Sequence, residues 1–262
     1  MTATVPVSAV AAAPPAAAAP VPLTRLTMVE LRKLADTRAG MWLLIVIGLA
    51  TVATSAILLG GAPDNEITFS GLYSFGLLPS AVLLPVLGIF SVTSEWSQRT
   101  ALATFTLVPA RGRVLLAKIA AGILIAIAAT AATAVLAAAA NALTPVGGGD
   151  GSWSLDSWLI WQSLLLQIVL VLMGIAFGAL LLNTPLAIVV FFALPTVGTI
   201  LGETIRALRD AAQWLDLSAT SQAMSKADMT SGEWARLAAS AGVWVVLLLL
   251  IGVARVLRRE VS

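Results

Sequence analysis

The 262-residue chain contains neither cysteine nor histidine. Their absence excludes thiol nucleophiles, Ser-His-Asp triads, haem ligation by histidine and the usual Cys/His zinc sites. Charged residues are also scarce, at 11% of the chain against roughly 25% in soluble domains. We therefore expect most of the surface to face lipid, and we expect no cofactor to be bound by this chain.

Apolar residues make up 59% of the chain and form long uncharged runs at 39–63, 67–94, 119–149, 157–202 and 237–254. A membrane-spanning helix needs about 20 residues, so the fourth run is too long for one helix. We divide it at Asn183-Thr184-Pro185, because proline disfavours a helical residue before it. The sequence predicts an all-α integral membrane protein with six spans, near 39–61, 70–94, 114–143, 158–182, 185–202 and 237–254.

Lysine and arginine are concentrated at alternate ends of the predicted spans. If the N-terminus is cytoplasmic, 11 of the 15 basic residues are cytoplasmic, which predicts that both termini lie inside. They are Arg25, Arg32, Lys33, Arg38, Arg99, Arg111, Arg113, Lys118, Arg255, Arg258 and Arg259. The last run has only 18 residues, so we expect Arg236 and Arg255 to reach the headgroups. A net charge of +2 is too small to indicate a nucleic-acid partner.

Two segments precede the spans. Residues 1–22 form an Ala/Pro-rich tract without charge, which predicts a disordered cytoplasmic tail. Residues 23–38 predict an interfacial helix ahead of a transmembrane domain at 39–262. Its apolar side would carry Leu23, Leu31, Leu34 and Ala35, and its polar side Arg25, Arg32 and Asp36. A simple extension of the first span is the alternative.

No ionisable residue lies in the middle of a predicted span. Proton- or sodium-coupled carriers usually keep such residues there, so we expect the energy for any transport to come from another subunit. A channel is an alternative, because uncharged polar side chains line some pores. Helix-packing hydrogen bonds are the other interpretation of these side chains. The residues concerned are Thr51, Thr54, Ser55, Asn141 and Gln167.

The connection between the second and third spans is too long for a tight turn and too short for a domain. It predicts one short helix that is closed by Pro109 and followed by a basic anchor. The connection begins with Glu95-Trp96-Ser97-Gln98-Arg99-Thr100 and ends with Pro109, Arg111, Arg113 and Lys118.

Taken in order, these features resemble the permease subunits of type-2 ABC exporters. The resemblance extends over the whole chain through the six-span plan. It depends on Glu30-Leu31-Arg32-Lys33, on the 95–118 connection and on Arg258-Arg259-Glu260-Val261. It implies that Glu30, Arg32 and Lys33 belong to the interfacial helix. It also implies a cytoplasmic coupling helix, whose contact with an ATPase would involve Glu95, Gln98, Arg99, Thr100, Pro109, Arg111 and Arg113.

The resemblance also implies short outer helices between the fifth and sixth spans, in the stretch 203–236. Within it, Thr230 and Glu233 have the spacing of a capping box and predict a helix start. The second and fifth spans line the translocation cavity in the family, which suggests a role there for Pro79, Pro85 and Pro195. Gly174 and Gly178 form a Gly-x-x-x-Gly pair, which we interpret as packing within the chain.

No Gly-x-x-x-x-Gly-Lys-Ser/Thr motif is present, so ATP and Mg²⁺ would be bound by a separate ABC ATPase subunit. The resemblance implies an exporter of a hydrophobic or amphipathic drug, lipid or peptide in the bacterial cytoplasmic membrane. Its other partners would be the bilayer and a second permease copy or a paralogue. A non-transporting scaffold or immunity protein is the alternative, and a channel is the third.

Overall fold

The computed structural model describes residues 21–63, 67–98, 110–144, 151–154, 156–225 and 228–258, and these contain helices and no β-strand. Six helical segments are long and apolar enough to cross a membrane. Within these ranges, the all-α class and the expected six membrane-length helices are therefore confirmed, and they indicate a multi-pass membrane protein. The segments are Arg38–Gly61, Phe69–Ser97, Arg111–Asn141, Ser157–Leu181, Thr184–Thr204 and Ser231–Arg258.

The helices are numbered in chain order. Helix α1 precedes the spans, α2 is the first span, and α3 and α4 together form the second. Helices α5, α6 and α7 are the third, fourth and fifth spans, and the short α8 and α9 follow. The bounds are α1 Leu23–Asp36, α2 Arg38–Gly61, α3 Phe69–Gly76, α4 Leu78–Ser97, α5 Arg111–Asn141, α6 Ser157–Leu181, α7 Thr184–Thr204, α8 Arg209–Leu215, α9 Leu217–Gln222, α10 Ser231–Ala241 and α11 Leu248–Arg258.

The last span differs from its prediction. It begins at Ser231, where Thr230 and Glu233 form the predicted capping box, and it continues through a π-helical turn at Gly242–Leu247 to Arg258. Its 28 residues exceed the length that a bilayer requires, and the expectation that Arg236 and Arg255 reach the headgroups stays a prediction. Arg236 lies over the ring of Trp214 at 5.9 Å, and Arg255 donates to the carbonyl of Leu180.

The fourth and fifth spans separate at the predicted position. Leu182 adopts a left-handed conformation with φ of 52°, which ends α6. The side chain of Asn183 then accepts a hydrogen bond of 3.0 Å from the Leu186 amide and caps α7. Pro185 stands in the first turn of α7, where a missing N–H costs nothing.

The second span is interrupted at Leu77, between α3 and α4. Side chains from neighbouring spans bond to the backbone and side chains around this break. Thr51 Oγ1 donates to the Gly76 carbonyl at 3.2 Å, and Gln167 Nε2 donates to Ser80 Oγ at 2.6 Å. Two of the candidate pore-lining residues are therefore engaged in packing between helices.

Helices α4 and α6 form the centre of the bundle. A Cβ atom added to Gly174 would overlap the backbone of Pro85, and one added to Gly178 would lie 3.1 Å from the Ile89 carbonyl oxygen. The Gly-x-x-x-Gly pair thus packs against α4 of the same chain, as interpreted from the sequence. By contrast, α7 lies at the edge of the bundle, because only 17% of its most apolar stretch is buried.

Candidate functional site

Helix α1 meets the bundle through one narrow face. Thr27, Glu30 and Leu34 are buried on that face, at helical spacing. The predicted apolar side is therefore only partly right, because Leu23 is exposed whereas Glu30 is buried. A buried carboxylate needs positively charged partners, and two lysines supply them for Glu30.

Those partners create an ionic cluster of Glu30, Lys33, Glu95 and Lys118, which lies where α1, α4 and α5 meet. Lys118 Nζ lies 2.6 Å from Glu30 Oε2 and 3.0 Å from Glu95 Oε1. Lys33 Nζ lies 2.8 Å from an oxygen of each carboxylate. The Ser91 carbonyl accepts a third hydrogen bond from Lys118 at 2.7 Å. One ammonium and both carboxylates are almost completely buried, since Lys118, Glu30 and Glu95 are 3%, 5% and 6% exposed.

The ionic cluster contains two positive and two negative side chains, so its formal charge is zero. Removing single charges from water costs several kcal/mol each, and only mutual pairing offsets that cost. Burial opposes the charged form of Lys33, but hydrogen bonds and attraction from Glu30 and Glu95 raise its pKa above the ordinary 10.5. Lys33 therefore stays charged at neutral pH.

Further hydrogen bonds join the ends of helices on the same side of the bundle as the ionic cluster. Arg111 Nη1 donates to the Val256 carbonyl at 3.1 Å, and Arg113 Nη2 donates to the Val21 carbonyl at 2.8 Å. The start of α1, the start of α5 and the end of α11 therefore lie together with the ionic cluster. We call this end, which carries these basic residues, the basic end.

The structure brings together several of the predicted site residues and separates others. Glu30, Lys33 and Glu95 meet in the ionic cluster, and Arg111 and Arg113 lie at the same end.

Other predicted site residues lie apart from the ionic cluster. Arg32 points away from the bundle, and Gln98 is exposed at the end of α4. The predicted positions Arg99, Thr100 and Pro109, the coupling helix and most of the N-terminal tail lie outside the described residues.

Lys118 is the member of the ionic cluster whose role the sequence analysis missed. It was interpreted as an anchor at the membrane surface, but it is buried about two turns inside α5. The available signal was its position at the edge of a long apolar run, because a charge carried into such a helix requires a partner.

The three prolines assigned to a translocation path have different surroundings. Pro79 is half-buried in the first turn of α4. Pro85 is buried against Gly174 at the centre of the bundle, and Pro195 lines a small pocket with Trp244 near α8. They do not form one surface within a single chain, so a path past all three remains a prediction.

No protein-family model matches the chain, and no curated protein matches its sequence. The functional interpretation of the site consequently depends on its residues and geometry.

Proposed function

We propose that this chain is the permease subunit of a type-2 ABC exporter and that it moves a hydrophobic or amphipathic substrate through the membrane. A separate subunit would bind ATP and Mg²⁺. The main support for the proposal is the ionic cluster. It joins α1 and α5 to Glu95, which lies near the end of α4 and close to the 99–109 connection. Through this attachment, a partner that moves the connection would also move α1, α4 and α5.

Both ends of the 99–109 connection are anchored. Before it, Glu95 bonds to Lys33 and Lys118; after it, Arg111 bonds to the backbone of α11. A partner that displaces the connection would therefore move α1, α4, α5 and α11 together. Coupling between distant sites requires linked elements of this kind.

The placement of charge within the spans supports an external energy source. Glu95 stands two residues before the end of α4, and Lys118 lies near the start of α5. Among the described residues, the charged side chains of the spans are found towards the helix ends. A carrier driven by protons or sodium would usually keep one near the middle.

The channel alternative receives no support from its candidate lining residues. Thr54 and Ser55 donate to the Thr51 carbonyl at 2.9 and 3.0 Å, within α2. Asn141 Nδ2 donates to the Gly151 carbonyl at 3.3 Å. Thr51 and Gln167 also donate hydrogen bonds, so all five candidates donate within the chain, while Asn141 Oδ1 and Gln167 Oε1 have no partner among the described residues.

The proposal places the chain in the bacterial cytoplasmic membrane, with both termini and the basic end in the cytoplasm and with α8 and α9 outside. Two exposed serines at opposite ends of the bundle provide a matched test in this cysteine-free chain. Ser154→Cys is expected to react with a membrane-impermeant maleimide in intact cells, and Ser97→Cys is expected to react only after permeabilisation. The opposite pattern would invert the topology.

The proposal also requires a second permease copy or a paralogue. The turn Arg206–Leu208 and helix α8 contain no buried residue and expose Leu208 and Leu215, and Ile205 just before the turn is exposed as well. A single cysteine at Leu208 is expected to cross-link two copies in membranes. The matched control is Val135→Cys, on the exposed lipid-facing side of α5. Equal cross-linking at both positions would indicate random collision rather than a dimer contact.

The decisive experiment tests whether the chain binds and stimulates an ABC ATPase encoded in a neighbouring reading frame. The chain is expected to co-purify with it, and compounds that are exported should stimulate ATP hydrolysis. Glu95→Gln is expected to lower this stimulation by about tenfold, because the charged link between the connection and α1 is lost. Half-exposed Lys33 can turn to water, so the variant should remain inserted and bound to the ATPase.

Glu203→Gln, which removes an exposed carboxylate at the far end of α7, is the matched control and should keep normal stimulation. Full stimulation in Glu95→Gln would argue against the ionic cluster as the coupling element. Lack of any stoichiometric ATPase partner would favour the scaffold or immunity alternative. Conductance of the purified chain alone would favour the channel.

A further inference from the structure

A cavity of about 790 Å³ lies beside the ionic cluster at the basic end. It is bounded by α1, the start of α2, the end of α4 and the start of α5. Its volume is within the range of about 300–1,000 Å³ that is typical of small-molecule sites. Its lining combines the ionic cluster with apolar side chains, here called the apolar wall, which include Leu26, Val29, Phe90 and Val114.

The charges around the cavity do not balance. Its lining includes the cations Lys33, Arg38 and Lys118 and the carboxylates Glu30 and Glu95. Both carboxylates are taken by the two lysines at 2.6–3.0 Å. Arg38 is exposed and forms no ion pair with any described residue. Counted over the described lining residues, the formal charge is therefore +1, and Arg38 carries it.

The backbone adds to this positive potential. Residues 37–40, at the N-terminus of the 24-residue helix α2, line the cavity next to Arg38. The N–H groups of Thr37 and Gly40 bond to the Lys33 carbonyl and to the Thr37 hydroxyl, so α2 offers a ligand the amides of Arg38 and Ala39 and the positive end of the helix dipole. Arg38 and this helix end form a positively charged region at the edge of the cavity.

We propose that the cavity binds one anionic phospholipid of the adjoining leaflet. The headgroup phosphate contacts Arg38 and the N-terminus of α2, and the glycerol and upper acyl region lie along the apolar wall. A lipid satisfies all of these features, because one molecule supplies both the negative charge and the apolar surface. The cavity lies at the ends of three spans, where headgroups are located, and basic pockets between membrane helices suit acidic headgroups. The proposal is independent of transport and of an ATPase.

The test uses the purified full-length chain in a neutral detergent, with bound lipid counted by native mass spectrometry. The chain is titrated with phosphatidylglycerol and, in parallel, with phosphatidylcholine of the same acyl chains. Phosphatidylglycerol is expected to occupy one site more tightly than phosphatidylcholine. Arg38→Gln should weaken that binding about fivefold, since one basic residue near a lipid headgroup contributes about 1 kcal/mol.

Arg32→Gln is the matched control, because it removes the same charge from an exposed arginine outside the cavity lining. It should leave the occupancy of the tight site unchanged. Equal weakening by both substitutions would overturn the proposal in favour of general surface attraction. Equal binding of the two lipids would also overturn it, as would complete displacement of phosphatidylglycerol by millimolar inorganic phosphate, which would define a free-anion site.

Discussion

Replacement of Lys118 by methionine is expected to lower the free energy of unfolding by about 3–5 kcal/mol, the usual cost of breaking a buried ion pair. Methionine fills much of the same space but donates no hydrogen bond. Glu30 and Glu95 would then remain almost completely buried with one of their two shared lysines removed, and the Ser91 carbonyl would lose its lysine partner. Unfolding of the detergent-solubilised chain with increasing dodecyl sulfate would measure the change.

Two further variants distinguish loss of the ionic cluster from loss of charge in general. Arg32→Met removes an exposed cation from α1 and should change stability by less than about 0.5 kcal/mol. Adding Glu30→Gln to Lys118→Met restores charge balance, so the double variant should be less destabilised than the sum of the single variants. If Lys118→Met costs no more than Arg32→Met, the ionic cluster does not stabilise the fold.

Replacement of Gly174 by alanine is expected to destabilise the chain by about 1–3 kcal/mol, as overpacking of a tight core does. The added methyl group would overlap the backbone of Pro85, and a helix backbone cannot rotate away as a side chain can. Helices α4 and α6 would have to separate at the centre of the bundle. The same unfolding assay and the yield of monodisperse protein would measure the effect.

Gly198→Ala is the matched control, because Gly198 also lies inside a spanning helix but has no neighbouring atom within 4 Å of the point that an added methyl group would occupy. It should be neutral or stabilising by up to about 1 kcal/mol, since alanine favours helix over glycine. Equal destabilisation by both substitutions would show that helix flexibility, rather than the contact between α4 and α6, is what the glycines provide.

Much of the fold was predictable because lipid imposes simple requirements on sequence. The break at Asn183-Thr184-Pro185 and the cap at Thr230 depend on residues next to each other in the chain, and both occur as predicted. The interruption of the second span has a local signal in Pro79, which stands in the first turn of α4 just after Leu77. The hydrogen bonds that Thr51 and Gln167 make at this interruption come from other spans, and no local pattern indicates them.

The candidate site was predictable only in part, for the same reason. Glu30, Lys33 and Glu95 each stood out as charges close to spans, but the pairs that join α1 to α4 and to α5 link residues 62 and 88 positions apart. The burial of Lys118 follows from that pairing. A single sequence gives the position of a charge along the chain, whereas its partner is decided by how three helices pack.

The order in which the ionic cluster can assemble follows from the positions of its members along the chain. Glu30 and Lys33 precede the first span, whereas Lys118 follows the second, and synthesis proceeds from the N-terminus. Both carboxylates are therefore made before Lys118, and until the third span packs they have one lysine of the ionic cluster, Lys33, between them. When α5 packs, the Lys118 ammonium supplies the second positive charge of the cluster. The packing of α1 against α4 is thus completed only after the third span has been made.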